Sequence, residues 1–224
     1  MNSRERVLRA VQGQEVWPVM DLCGFEQGLM HIASRPDLIE AMVAKISEFY
    51  EEFYRRLARS ARGHAEFLGF GDDFAQQDGM LISPAKWRRF FLPVWKRLFA
   101  IAHDNDLQPL MHMCGSIRPI LGDLIDAGLT VYQVAQFTAK NMEAADLKRE
   151  FGQHLTFYGG VDTQWTMPFG SPEAVRREVR ERIDVMARGG RYVLSSMHYL
   201  MDDVPIDNIL AMYAEARDYR PPWS

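Results

Sequence analysis

Cysteine is scarce in this chain: Cys23 and Cys114 are the two thiols in 224 residues. Two thiols cannot build a disulfide framework, so the fold must rest on a hydrophobic core. No basic excess exists either. Thirty acidic side chains against 26 basic ones leave a formal net charge of −4, and a nucleic-acid partner would require a basic face. No apolar run approaches the ~18 residues of a membrane-spanning helix. The opening residues Met1 to Arg6 contain no apolar core of a signal peptide. Neither a Walker A sequence nor a dinucleotide fingerprint occurs. These absences lead to the expectation of a cytoplasmic protein with reduced thiols, no membrane association and no nucleic-acid partner.

What is present is an ordinary globular balance, 47% apolar and 25% charged, which excludes disorder as the main state. Short apolar runs alternate with amphipathic stretches. Strands are predicted over 17–23, 65–70, 107–113, 129–135, 155–161 and 191–196. Helices are predicted over 3–12, 36–60, 84–104 with a kink at Pro93, 117–127, 142–151, 172–188 and 205–219. Ser83-Pro84 and Ser171-Pro172 supply an N-cap followed by proline at the first helical position. In the 36–60 helix, Ile39, Met42, Val43, Ile46, Phe49, Tyr50, Phe53 and Leu57 keep the spacing of one buried face. Strict alternation of strand and helix implies a parallel sheet with helices outside it. The fold class expected is α/β, a (β/α)8 TIM-barrel-like domain spanning 1–224. It is short for that fold, which typically needs ~250 residues, and shows about six clear βα units of the eight.

In a parallel α/β fold, chemistry gathers where the strands end at their carboxyl sides. The reactive residue types fall at those ends: Cys23, Asp72 and Asp73, His112 and Cys114, Gln136, Asp162, and His198. His112 and Cys114 are two apart on a strand, so they share a face. Imidazole and thiolate both ligate zinc, and His198 offers a third ligand with one position left open. His198 alternatively serves as a general acid or base. The adjacent carboxylates Asp72 and Asp73 either take part in catalysis or cap a turn. Gly159-Gly160 before Asp162 allows a ligand close to the backbone. His31, His64, His103 and His154 fall on predicted loops and helix edges, where solvent exposure is the default.

In combination these residues resemble the uroporphyrinogen decarboxylase superfamily, which includes zinc-dependent cobamide methyltransferases. The resemblance is carried by several stretches: residues 1–14, Gly71-Asp72-Asp73 with Leu81-Ile82-Ser83-Pro84, His112-Met113-Cys114-Gly115-Ser116, Tyr158-Gly159-Gly160-Val161-Asp162, and Leu194 to His198 followed by Val204 to Ile209. It implies a TIM barrel shortened before residue 17 by about two βα units. It implies zinc held by His112, Cys114 and His198, the last standing where methyltransferases carry a second cysteine. Implied partners are a small-molecule substrate, a corrinoid on a partner protein, and a second copy in a homodimer. Gln136, Gly160 and Asp162 are then candidate cofactor-binding positions, and Asp72, Asp73 and His198 candidate catalytic ones. Porphyrinogen decarboxylases hold substrate carboxylates with early arginines, whereas this chain has none between Arg9 and Arg35. Three readings follow: zinc-dependent methyl transfer, decarboxylation of a tetrapyrrole or other carboxylate, and non-catalytic corrinoid binding or assembly on a truncated barrel.

Overall fold

A computed structural model describes residues 18–223. The predicted opening helix over 3–12 and the shortening before residue 17 lie outside the described residues. The elements are α1 (Pro18–Cys23), α2 (Phe25–Ser34), α3 (Pro36–Ala61), β1 (Phe67–Gly71), β2 (Ala75–Gln76), β3 (Gly79–Met80), α4 (Pro84–Phe90), α5 (Leu92–His103), β4 (Gln108–His112), α6 (Arg118–Asp126), β5 (Val131–Gln133), α7 (Ala144–Phe151), β6 (Thr156–Val161), α8 (Thr166–Phe169), α9 (Pro172–Met186), β7 (Tyr192–Ser196) and α10 (Ile206–Asp218). Two of these helices start at the expected caps. The Ser83 hydroxyl accepts from the Lys86 amide at 3.3 Å, and that of Ser171 from the Ala174 amide at 3.2 Å. The helix foreseen over 84–104 is divided around Phe91, just before Pro93, because proline cannot donate to the preceding turn.

Five strands form one parallel sheet in the order β1-β4-β5-β6-β7. Neighbours in the sheet follow chain order, as in a barrel wall, with no reversal of the kind that marks a doubly wound fold. β2 and β3 form a separate antiparallel hairpin. The wall is not closed: among the described residues β1 and β7 remain edges. In β1, Leu68 and Phe70 are buried against the helices, while Phe67, on the opposite face, is 49% exposed. A strand inside a completed barrel would be buried on both faces.

Two expectations are corrected. The stretch foreseen as a first strand over 17–23 is, from Pro18 on, the helix α1. Its bonds are helical, with the Cys23 thiol donating to the Val19 carbonyl at 2.9 Å and the Gly24 amide to that of Met20 at 2.6 Å. A short apolar run bounded by proline and glycine suits either structure by periodicity alone, and packing against α2 and α3 decides for the helix here. The sheet therefore holds five strands where six were foreseen. α2 was not foreseen at all. Its mid-helix Gly28 lowers helix propensity, and its Cα faces the Met20 side chain of α1, whose sulfur a Cβ there would displace.

The second correction concerns α3. Its expected single buried face is split. Tyr54 packs on Phe70 with ring centroids 4.5 Å apart, and Ile39 and Ala58 are fully buried. Phe49, Phe53 and Leu57 remain 49%, 43% and 41% exposed, because no described element lies on the side where another βα unit of a closed barrel would pack. No helix among the described residues is long and apolar enough to cross a membrane.

The core between the sheet and α5 centres on Phe99, which is fully buried, 5.4 Å from the Phe70 ring and 5.7 Å from that of Trp95. Phe99→Ala is expected to cost about 3–5 kcal/mol of stability. Urea unfolding followed by circular dichroism checks this; a loss under 1 kcal/mol would place the core elsewhere.

Candidate metal centre

His112 is the last residue of β4, and Gly71, Gln133 and Tyr158 lie in register with it across the sheet. Cys114 lies two residues on, the i, i+2 relation that puts both side chains on one face. His198 follows β7, where the Met197 amide extends the ladder by donating to the Val161 carbonyl at 2.9 Å. β4 and β7 are three strand spacings apart, about 14 Å in a flat sheet. The His112 and His198 ring centroids are nevertheless 5.4 Å apart, edge to face. The sheet is therefore curled, with these side chains on its concave side. The ligand atoms of His112, Cys114 and His198 all lie within 4.8 Å of one another, and all three residues are half-buried.

The loop that carries Cys114 is held at every amide. The Met113 N–H donates to the Gln133 carbonyl at 2.7 Å and the Ser116 N–H to the Gln76 carbonyl at 2.9 Å. The Cys114 N–H donates to the Asp73 carboxylate at 2.7 Å, and the Gly115 N–H to the buried side-chain oxygen of Gln136 at 2.8 Å. The Tyr132 hydroxyl donates to the Met113 carbonyl at 3.1 Å. Gly115 has φ +82°, and a Cβ there would lie 2.7 Å from the Gln76 carbonyl oxygen, so only glycine fits under the β2–β3 hairpin.

The two aspartates do different work. Asp73 orients Cys114. Asp72 is buried, its amide donates to the His112 carbonyl at 3.1 Å, and its carboxylate accepts from the Asp73 amide at 3.1 Å. Burial, then the neighbouring Asp73 and Asp21 charges, push the Asp72 carboxyl well above the usual range. The same surroundings push the Tyr50 phenol up to about 12, first by burial and then through Asp72 and Asp21. Tyr132 is also pushed up, by burial and then by Cys114 and Asp73, which keeps it a hydroxyl donor.

Asp162 and Gly160 are placed differently. The Asp162 carboxylate accepts from the backbone amides of Gln164, Trp165 and Thr166 at 2.8, 3.1 and 3.3 Å, a turn-capping arrangement. Gly160 has φ +101°, and a Cβ there would crowd the Phe137 ring at 2.7 Å and the Tyr192 hydroxyl at 2.9 Å. Three contributors to the site were missed in the sequence. Tyr132 reads as a core aromatic, Asp21 as part of a strand, and the four-residue hairpin pair carries no periodicity.

The family model for uroporphyrinogen decarboxylase (URO-D) matches residues 19–219. The chain belongs to the uroporphyrinogen decarboxylase family. Within that family it resembles methyltransferases. A methylcobamide:CoM methyltransferase MtaA of Methanosarcina barkeri is 26% identical over 155 residues, covering 69% of this chain and 42% of the relative. The corresponding protein of the Fusaro strain is 23% identical, covering 95% of this chain and 63% of the relative. A uroporphyrinogen decarboxylase of Syntrophotalea carbinolica is 27% identical over 58% of this chain and 36% of its own length. The solved structure of a methyltransferase from Methanosarcina mazei shares the fold, with TM-score 0.70 at 20% identity over 95% of this chain and 62% of that one. The chain thus spans less than two thirds of these relatives, in keeping with an unclosed wall. The relatives named are enzymes.

Gly115→Ala is expected to destabilise the fold by more than about 1 kcal/mol, whereas Gly122→Ala in α6, where a Cβ meets nothing within 4 Å, should be neutral or stabilising by about 0.5–1 kcal/mol. Thermal unfolding of the two variants side by side checks the contrast, and equal shifts would remove the packing argument for Gly115.

Proposed function

We propose that this chain is a zinc-dependent methyltransferase that works between a corrinoid on a partner protein and a small-molecule thiol or similar acceptor. The observation that carries the reading is the convergence of His112, Cys114 and His198, whose ligand atoms lie within 4.8 Å of one another. The donor set suits zinc. A tetrahedral ion with bonds of about 2.0–2.3 Å needs ligand atoms about 3.3–3.8 Å apart. The Cys114 sulfur and His112 Nε2 are already at 3.5 Å, and the widest separation exceeds the requirement by about 1 Å, which a side-chain torsion covers. Three protein ligands leave a fourth position open, the pattern of a catalytic rather than a structural site. When bound, zinc supplies a lowered pKa for an entering thiol and hence a thiolate near neutral pH. The corrinoid supplies the methyl group, or receives it in the reverse direction.

The remaining residues have positioning roles. Asp73 holds the backbone of Cys114, Gln136 that of Gly115, and Asp72 supports Asp73 through the Asp73 amide. This outer layer orients the ligating side chains. Asp162 and Gly160 shape the wall after β6, through the turn that Asp162 caps and the close packing that Gly160 permits. A second reading is favoured by the likeness to the Syntrophotalea decarboxylase. In it, His198 donates a proton to a carboxylate substrate after loss of carbon dioxide, without metal.

The purified chain is expected to bind one zinc per chain after reconstitution. His112→Ala, Cys114→Ser and His198→Ala should each weaken zinc binding at least about tenfold. Elemental analysis and competitive chelator titration measure both. Methyl transfer from methylcobalamin to a small thiol should be lost on chelation and restored by zinc. Failure to bind zinc after reconstitution would overturn the reading. Turnover of a carboxylate that withstands chelators but disappears in His198→Ala would establish the second reading.

A further inference from the structure

Between α9, the turn that Asp162 caps and Thr138 after β5 lies a cavity of about 270 Å³. That is just under the ~300 Å³ at which ligand pockets usually begin, so it suits a small occupant. Its charged lining is Asp162, Arg177, Glu178, Glu181 and Arg182. Glu178 is only 7% exposed. Its Oε1 accepts from the Asp162 amide at 3.1 Å and from Arg182 at 3.0 Å. Its Oε2 is buried and has no hydrogen-bond partner, a costly state for a carboxylate oxygen. The nearest cation is already committed. Arg182 also donates from Nε to the Gly160 carbonyl at 3.0 Å, and its guanidinium lies over the Phe137 ring at 5.4 Å. Arg177 differs from its neighbours. Arg176 and Arg180 both pair with Glu215, whereas Arg177 is exposed and forms no ion pair among the described residues.

We propose that this cavity binds a small zwitterion, a primary ammonium compound that also carries an anionic group, of which an α-amino acid is the simplest case. The ammonium group donates to Glu178 Oε2, and the anionic group meets the guanidinium of Arg177 at the rim. Three carboxylates against two guanidinium groups favour the ammonium end inside. A divalent cation fits less well. Among the described residues the group able to hold a metal ion is His112, Cys114 and His198, so these carboxylates do not converge as ligands, and Arg182 beside Glu178 repels a metal. None of the lining residues is a proposed zinc ligand, so the proposal stands apart from the zinc reading. The cavity nevertheless abuts that centre. The Thr138 hydroxyl is 3.9 Å from the Met197 sulfur, and Met197 directly precedes His198.

The experiment is calorimetric titration of the full chain with glycine, serine, ethanolamine, acetate and glycerol. Glycine and serine are expected to bind saturably at one site per chain and to raise the melting temperature. Ethanolamine, acetate and glycerol should bind at least about tenfold more weakly. Glu178→Gln keeps an acceptor for the Asp162 amide but places an amide N–H₂ where Oε2 stood, so glycine affinity should fall at least about tenfold. Arg177→Ala, at an exposed position, should weaken glycine and leave ethanolamine unchanged. The circular dichroism spectrum of both variants is expected to match that of the parent chain. Four results would overturn the proposal: no saturable binding of glycine or serine at tens of millimolar, glycerol or ethanolamine binding as tightly as glycine, glycine affinity unchanged in a folded Glu178→Gln, or glycine affinity unchanged in Arg177→Ala.

Discussion

The curl of the parallel sheet between β4 and β7 is the constraint on which the candidate metal centre depends. A flat sheet of the same strand order would hold His112 and His198 about 14 Å apart, too far to share an ion. Curled as it is, the sheet brings their rings to 5.4 Å with Cys114 beside them. The curl comes from twisted strands paired in chain order and from helices that cover one face only. Closure of the ring is not needed for it, so a wall of five strands retains the convergence expected of a complete barrel.

A second requirement is that Cys114 be held still. Its loop leaves β4 with four successive amides, each donating to an acceptor from a different place: β5, Asp73, Gln136 and the β2–β3 hairpin. Buried amides without partners would be costly, so the loop has little freedom to move. Burial, then the neighbouring Asp73 charge, push the Asp72 carboxyl up; its oxygen accepts from the Asp73 amide, while the Asp73 carboxylate accepts from Cys114.

The open wall alters the molecule's surface as well as its site. Phe67 on β1 and Val193 on β7, the two edge strands of the described sheet, are exposed, as are Ile206, Leu210 and Tyr213 on α10. Relatives about half again as long carry more chain with which to cover such surfaces.

Much of this was legible in the sequence. The alternation of strand and helix, the Ser-Pro caps, the break near Pro93 and the shared face of His112 and Cys114 are consequences of periods 2 and 3.6 and of proline's fixed φ, which act within a few residues. The clustering of Asp72, Asp73, His112, Cys114 and His198 at strand ends followed from the same local reading. What only tertiary structure decided is non-local. Residues 18–23 are a helix because α2 and α3 give α1 a surface to pack on. Tyr50 and Tyr54 turn inward while Phe49 and Phe53 do not, because only one side of α3 has a neighbour. Tyr132, Gln136 and the β2–β3 hairpin become supports of the site because strand pairing brings them to a loop far off in sequence. Local periodicity determines where a side chain points along its own element, whereas curl and pairing determine what it meets.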